Sequence, residues 1–156
     1  MSDSPSPIVL GPGEGRSIDL GNFQMSVKAT SDGTGGGFTL LEADEPPGFG
    51  PPMHIHHDAA EAFYVVSGEY VMFVEDREHR CPAGSFVFIP AGTRHGFRVG
   101  GAPSRKLNIY VPAAMIGYFD ELSAAIARGE MEPDALDAIA TRYAMEVTGP
   151  VPEGYL

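Results

Sequence analysis

The chain is poor in cysteine, tryptophan and positive charge, and each shortage narrows what it can be. Cys81 is the only cysteine among 156 residues, so no intramolecular disulfide can form, and the composition fits a reducing cytoplasm. Beside Pro82, and without basic neighbours that would activate a thiol, it reads as a small strand-end residue. Lys and Arg number 10 against 21 Asp and Glu, for a net charge of −11. Phosphate backbones and anionic lipid surfaces need clustered cations, so nucleic-acid and membrane partners are not expected. No apolar run reaches membrane-spanning length, and MSDSPSPIVL has neither a positive n-region nor the apolar core of a signal peptide. Glycine (20) and proline (14) are abundant instead, which points to many short strands and turns within one domain.

The stretch Gly48 to Gly68, GFGPPMHIHHDAAEAFYVVSG, concentrates the chemistry. His54 and His56 are two residues apart, so in a strand both imidazoles face one side. Glu61 opens a β-branched and aromatic run that reads as the return strand of a hairpin, its face continuing through Phe63 and Val65. Gly84 to His95, GSFVFIPAGTRH, adds a third imidazole after a strand and a turn. Any one of these residues alone is an ordinary polar side chain; their joint spacing beside Gly and Pro turns is what suggests convergence. Three imidazoles and one carboxylate, His54, His56, His95 and Glu61, suit one divalent transition metal: iron, manganese, nickel, cobalt, copper or zinc. Such a set leaves coordination positions open, unlike a closed thiolate site.

Read in order, residues 1–7 form a small, polar tail, disordered or clasping a neighbouring subunit. Ile8 to Leu10, Ser17 to Leu20 and Phe23 to Ala29 read as opening strands, 31–37 as a flexible turn and Phe38 to Ala43 as another strand. EPPGFGPP is a stiff loop that delivers His54. Glu69 to Glu75 alternates as a strand and Asp76 to His79 turns it, leaving His79 exposed at the tip. His57 faces away from His56, toward the surface or behind the ligands. Ser85 to Ile89 is apolar enough to be buried on both sides. His95, Phe97 and Val99 share one parity and look inward, while Arg94 and Arg98 look toward solvent or a partner. Arg105 to Val111 supplies a further strand. Regular strands without crossover helices imply an antiparallel barrel or jelly roll over residues 8–111. By proximity and parity, Met53, Phe63, Val65, Phe97 and Val99 are the candidate substrate-pocket residues.

Beyond Pro112 the period changes. Met115, Ile116, Phe119, Leu122 and Ile126 recur at helical spacing with Gly129 as a stop; Pro133 opens a second helix with Leu136, Ile139, Ala140 and Tyr143 as its stripe. Residues 112–156 are therefore expected as a helical extension, packed on the barrel or a second subunit, or lying as a lid over the metal pocket.

The first stretch resembles the first cupin motif, G(X)5HXH(X)4E(X)6G, at Gly48, His54, His56, Glu61 and Gly68. The second resembles the other, G(X)5PXG(X)2H(X)3N, at Gly84, Pro90, Gly92 and His95, with Val99 where the family has asparagine. The resemblance implies an all-β fold, the antiparallel cupin jelly-roll barrel or double-stranded β-helix, followed here by two short helices. Within the superfamily the chain is similar to bacterial quercetin dioxygenases. That likeness implies His54, His56, Glu61 and His95 as metal ligands, Glu61 also as the base that takes a proton from a flavonol hydroxyl, a small-molecule substrate, and a homodimer. The expected activity is dioxygenation of a small aromatic or enolic compound. A non-redox cupin isomerase, lyase or cyclase, or a small-molecule binding module without chemistry, are the alternatives.

Overall fold

The computed structural model describes residues 4–151; residues 1–3 of the expected tail and the terminal PEGYL lie outside it. Among the described residues, eleven strands form two antiparallel sheets that fold face to face. The six-stranded sheet has the order β1 (Arg16–Asp19), β2 (Gln24–Ala29), β3 (Thr39–Glu45), β10 (Ser104–Val111), β5 (Ala60–Ser67), β8 (Phe86–Ile89). The five-stranded sheet runs β11 (Met145–Gly149), β4 (Met53–His56), β9 (His95–Val99), β6 (Glu69–Val74), β7 (Arg77–Pro82). This is the jelly-roll architecture expected of the sequence. Alternation sets which side chains enter the space between the sheets: Glu61, Phe63 and Val65 from β5, Tyr70 and Met72 from β6, and His95, Phe97 and Val99 from β9 are all buried. Phe63, Val65, Tyr70, Met72, Phe97 and Val99 share one apolar cluster with Cys81 and Ile89. A second cluster, built on Ile18, Met25, Val27, Leu41 and Tyr110, lies toward the helices.

Two short helices follow the barrel, α2 (Ile116–Arg128) and α3 (Pro133–Arg142), preceded by a single turn α1 (Ser31–Thr34). Gly129 ends α2 in the left-handed conformation at φ 72° and Pro133 opens α3 at its first turn. Ile116, Phe119, Leu122 and Ile126 press on the helix-side core cluster. Arg16 clamps Asp120 of α2 through two hydrogen bonds of 2.8 and 3.0 Å, tying helix to barrel.

Several local expectations change. Ile8 to Leu10 form no strand, and Ile8 instead rests beside Gly33 of α1, which is a helical turn rather than an irregular one. The β6–β7 turn falls at Glu75–Asp76, with Glu75 at φ 52°, so His79 is exposed within β7 rather than at the tip. β6 is buried on both faces, because Val71 and Phe73 pack with Met53 and Val151 behind the five-stranded sheet. β8, expected to be covered on both sides, is a sheet edge with Phe86 63 % and Phe88 56 % exposed. The C-terminal extension is not wholly helical: β11 returns to pair with β4, placing Met145 opposite His56 and Val147 opposite His54.

Candidate metal centre

Each ligand candidate is delivered by a feature visible in its local sequence. Pro51 and Pro52 stiffen the entry to β4, and the carbonyl of Pro52 accepts a hydrogen bond from His54 Nδ1 at 2.8 Å. The turn Pro90–Ala91–Gly92, with Gly92 at φ 85°, docks by a bond from Gly92 N to His56 O of 2.8 Å and releases β9 at His95. His95 Nδ1 in turn donates to Thr93 O at 2.9 Å. A carbonyl can only accept, so both Nδ1 atoms carry hydrogen and each Nε2 faces the cluster. Gly96 lets β9 pack closely beside His95, where a Cβ would lie 2.8 Å from Met53 Sδ and 3.0 Å from the Val151 side chain.

His54 and His95 are directly paired across β4 and β9, with ring centroids 4.4 Å apart; His56 lies 4.9 Å from His54 and 5.4 Å from His95. Glu61 reaches the group from the opposite sheet. Its Oε2 sits 3.0 Å from both His56 Nε2 and His95 Nε2. One ligand atom from each of the four residues can be chosen so that all lie within 4.8 Å of one another, and all four residues are buried.

The electrostatics are those of a cluster wanting a cation. Burial, then the neighbouring His95 and His56, lower the His54 pKa to about 3. Burial also opposes charge on Glu61, but His56 and His95 outweigh it and hold the carboxyl well below its ordinary range. For His95, burial favours the neutral ring and Glu61 more than reverses it, raising the pKa. His56 lacks the backbone anchor of the other two rings: its Nδ1 has no hydrogen-bond partner among the described residues, and its Nε2 meets the Glu61 oxygen, 3.0 Å away, that His95 also approaches. A buried imidazole nitrogen left unpaired beside a shared carboxylate oxygen is costly in protein alone. Three nitrogen donors and one anionic oxygen are the donor set a divalent transition ion takes, so the residues fit the metal.

Three members of the cluster, His54, His56 and Glu61, form part of the wall of a cavity of about 540 Å³; His95 does not line it. Phe63 and Phe97, two of the pocket candidates, line it. Val65 and Val99 are buried in the adjoining core cluster and do not. Met53 requires correction: one residue out of phase with His54, it lies behind the sheet with Val71, Phe73 and Val151. His57 is on the surface, 2.9 Å from Glu146. Arg98 is less free than expected, donating from Nη1 to Gly48 O at 3.0 Å. At the position where the motif has asparagine, the Val99 side chain packs in the core while its backbone donates to Phe49 O at 2.7 Å and accepts from Gly48 N at 3.1 Å.

Other lining residues were not foreseen. Tyr110 of β10 pairs with Glu61, stacks edge-on against His56 at 5.4 Å, and is held far toward its neutral phenol by burial and the Glu61 carboxylate. Lys106, Asn108 and Glu45 also line the cavity. Its roof comes from the helical region, including Met115, Phe119, Leu122 and Leu136, while Met145 and Val147 of β11 close one side. The helices thus pack on the barrel core and also contribute residues to the cavity wall.

Comparisons with known proteins agree with this geometry. Residues 41–110 match the family model described as the cupin domain. Quercetin 2,3-dioxygenase of Bacillus subtilis (strain 168) is 27% identical over 122 residues, 78% of this chain but 36% of that relative, so the chain spans about a third of its length. KdgF from a Halomonas species superposes with a TM-score of 0.60 at 19% identity, over 70% of this chain and 94% of that one. An RmlC-like cupin from Shewanella frigidimarina gives 0.61 at 18%, over 71% and 96%. The polyketide cyclase RemF from Streptomyces resistomycificus gives 0.51 at 24%, over 64% and 69%. The structural likenesses speak for the fold. The two motifs, the two facing sheets and the converged ligand cluster agree with the cupin domain matched over residues 41–110 and with the fold of these solved cupins.

Proposed function

We propose that this chain is a metal-dependent cupin enzyme, and that its activity is dioxygenation of a small aromatic or enolic substrate such as a flavonol. The observation that carries the reading is the His54, His56, Glu61, His95 cluster, of which His54, His56 and Glu61 line a cavity of about 540 Å³ together with Phe63 and Phe97, within the usual range for a small-molecule site. Those four residues would hold the divalent ion, which when bound supplies a Lewis-acidic, redox-capable centre for the substrate's oxygen and for dioxygen. The distant relationship to a quercetin dioxygenase supports the same substrate class.

The chain's own residues have definable tasks. Glu61, kept ionised by His56 and His95, is the group able to accept the proton of an enolic or phenolic hydroxyl. Phe63 and Phe97, whose ring centroids are 6.2 Å apart, offer apolar faces to a flat substrate. Tyr110 stands against His56 and fixes that ring's orientation. Phe119 and Leu122 exclude water from above.

The test is turnover of flavonols and catechol-like compounds by protein loaded separately with each candidate metal, in air and without oxygen. Oxygen-dependent loss of the flavonol with matching oxygen uptake is expected. Turnover that proceeds equally without oxygen, or with zinc and no oxygen uptake, would replace this reading with a non-redox isomerase, lyase or cyclase. A tightly bound compound recovered unchanged would make the chain a binding module.

A further inference from the structure

Beside the metal-ligand candidates, a second polar group lines the same cavity. Lys106 of β10 is 0 % exposed. Its ammonium donates to Glu45 Oε1 at 2.9 Å and Asn108 Oδ1 at 2.8 Å, and lies 4.3 Å from the centroid of the Phe97 ring. Tyr70 donates to the same Glu45 oxygen at 2.8 Å. Glu45, Lys106 and Asn108 all line this cavity with His54, His56 and Glu61. For stability alone, an apolar pair of similar volume would serve at least as well as this buried ion pair. Its place on a cavity wall supplies another reason for it.

The donors and acceptors decide what could bind. An ammonium only donates, so Asn108 must turn its carbonyl oxygen to Lys106, which leaves two amide N–H groups, one for the adjacent Tyr110 hydroxyl and one for a ligand in the cavity. Glu45 already compensates the Lys106 charge, so an arriving anion would meet a carboxylate with no spare cation. A neutral oxygen fits better: a carbonyl or hydroxyl accepts from the Asn108 amide, and a hydroxyl also donates to Glu45. At about 3.3 Å per strand residue, Asn108 lies about 7 Å along β10 from Tyr110, which is the strand partner of Glu61, so one ligand can reach this group and the metal ligands together.

We infer that Glu45, Lys106 and Asn108 form a second subsite, which recognises a neutral hydroxyl or carbonyl on the part of the substrate remote from the metal ligands. Glu45 and Asn108 touch that group, and Lys106 is a positioning residue that fixes both. The inference deepens the proposed function and rests on it for the substrate class.

The test uses two flavonols, one with hydroxyls on its pendant ring and one without, titrated into the metal-loaded full chain in the absence of oxygen, with binding read from the flavonol absorbance. The wild-type protein should prefer the hydroxylated compound by about tenfold, equivalent to about 1.4 kcal/mol. Asn108→Leu should bring that ratio close to one, the loss falling on the hydroxylated compound, with metal content maintained. Lys106→Met should lower the same ratio, a change that a purely structural role would not produce because it would weaken both compounds alike. No preference in the wild type, or equal loss of both compounds in Asn108→Leu, would overturn the inference. Missing turnover in air with the preference intact would count against the dioxygenase reading alone; lost preference with turnover intact would count against the subsite alone.

Discussion

Two buried polar clusters share one cavity, and they differ in whether the protein alone satisfies them. At Lys106 the charge is paired with Glu45, bonded to Asn108 and faced by an aromatic ring, so the charge is satisfied within the protein. At His54, His56, His95 and Glu61 the accounting does not close: two Nε2 atoms share one carboxylate oxygen, and His56 Nδ1 has no hydrogen-bond partner among the described residues. A closed cluster is damaged by losing a member, whereas an open one is completed by gaining an ion.

The sharpest way to break that contrast is to remove one side of the closed pair. Lys106→Met should destabilise the fold by about 3–5 kcal/mol, since it strands a buried carboxylate, while the double variant Lys106→Met with Glu45→Leu should recover a large part of the loss. Urea denaturation of the three proteins measures it, and equal stability of the single and double variants would show the pair is not coupled.

The open cluster should respond to metal instead. At a free metal concentration a hundredfold above Kd, stability should rise by about 2.7 kcal/mol, and a chelator should remove the gain. His95→Ala should lose the metal-induced increase while losing less stability without metal than Lys106→Met does. Thermal melts with and without chelator give both quantities.

Acidity separates the clusters further in metal-free protein. His54, buried and flanked by two imidazoles, has its pKa lowered from 6.5 to about 3. Between those values the unfolded chain binds more protons than the folded one, so stability falls as pH drops through that window. His95 is shifted upward, so its contribution is fully present below pH 6.5 and is lost only as pH rises through its folded value. Glu61 is shifted down from 4.5 and adds a further loss in stronger acid. Denaturation midpoints at pH 6.5, 5 and 4 should therefore decrease in order; a midpoint unchanged across that range would mean His54 charges inside the fold.

The smallest effect serves as the control. His57 adjoins His56 in sequence but is exposed and paired with Glu146, so His57→Ala should alter stability by about 0.5 kcal/mol or less and leave metal content alone.

The open cluster was legible in the sequence and the closed one was not, for a physical reason. His54 and His56 share parity, and Gly92 marks the turn before His95, so local spacing encodes their convergence. The same parity rule places Met53 on the other face, and choosing it by proximity to His54 was the error. In β10 the inward residues are Ser104, Lys106, Asn108 and Tyr110, while Leu107 and Ile109 point outward. That reverses the usual pattern of apolar residues inside, and it is recognisable only once Tyr110 is known to pair with Glu61. β11 was missed because its partner β4 lies about 90 residues earlier, and a five-residue strand carries little local signal. The exposed faces of Phe86 and Phe88 were hidden in a uniformly apolar run, which cannot reveal an edge strand.

The most direct test of the central claim is metal content per chain, measured by elemental analysis on protein refolded or exchanged with a transition-metal mixture and freed of loose ions. The account predicts about one ion per chain in the wild type and close to none when His54, His56, Glu61 and His95 are all changed to alanine. Equal metal in the two folded proteins, or none in either, would contradict it.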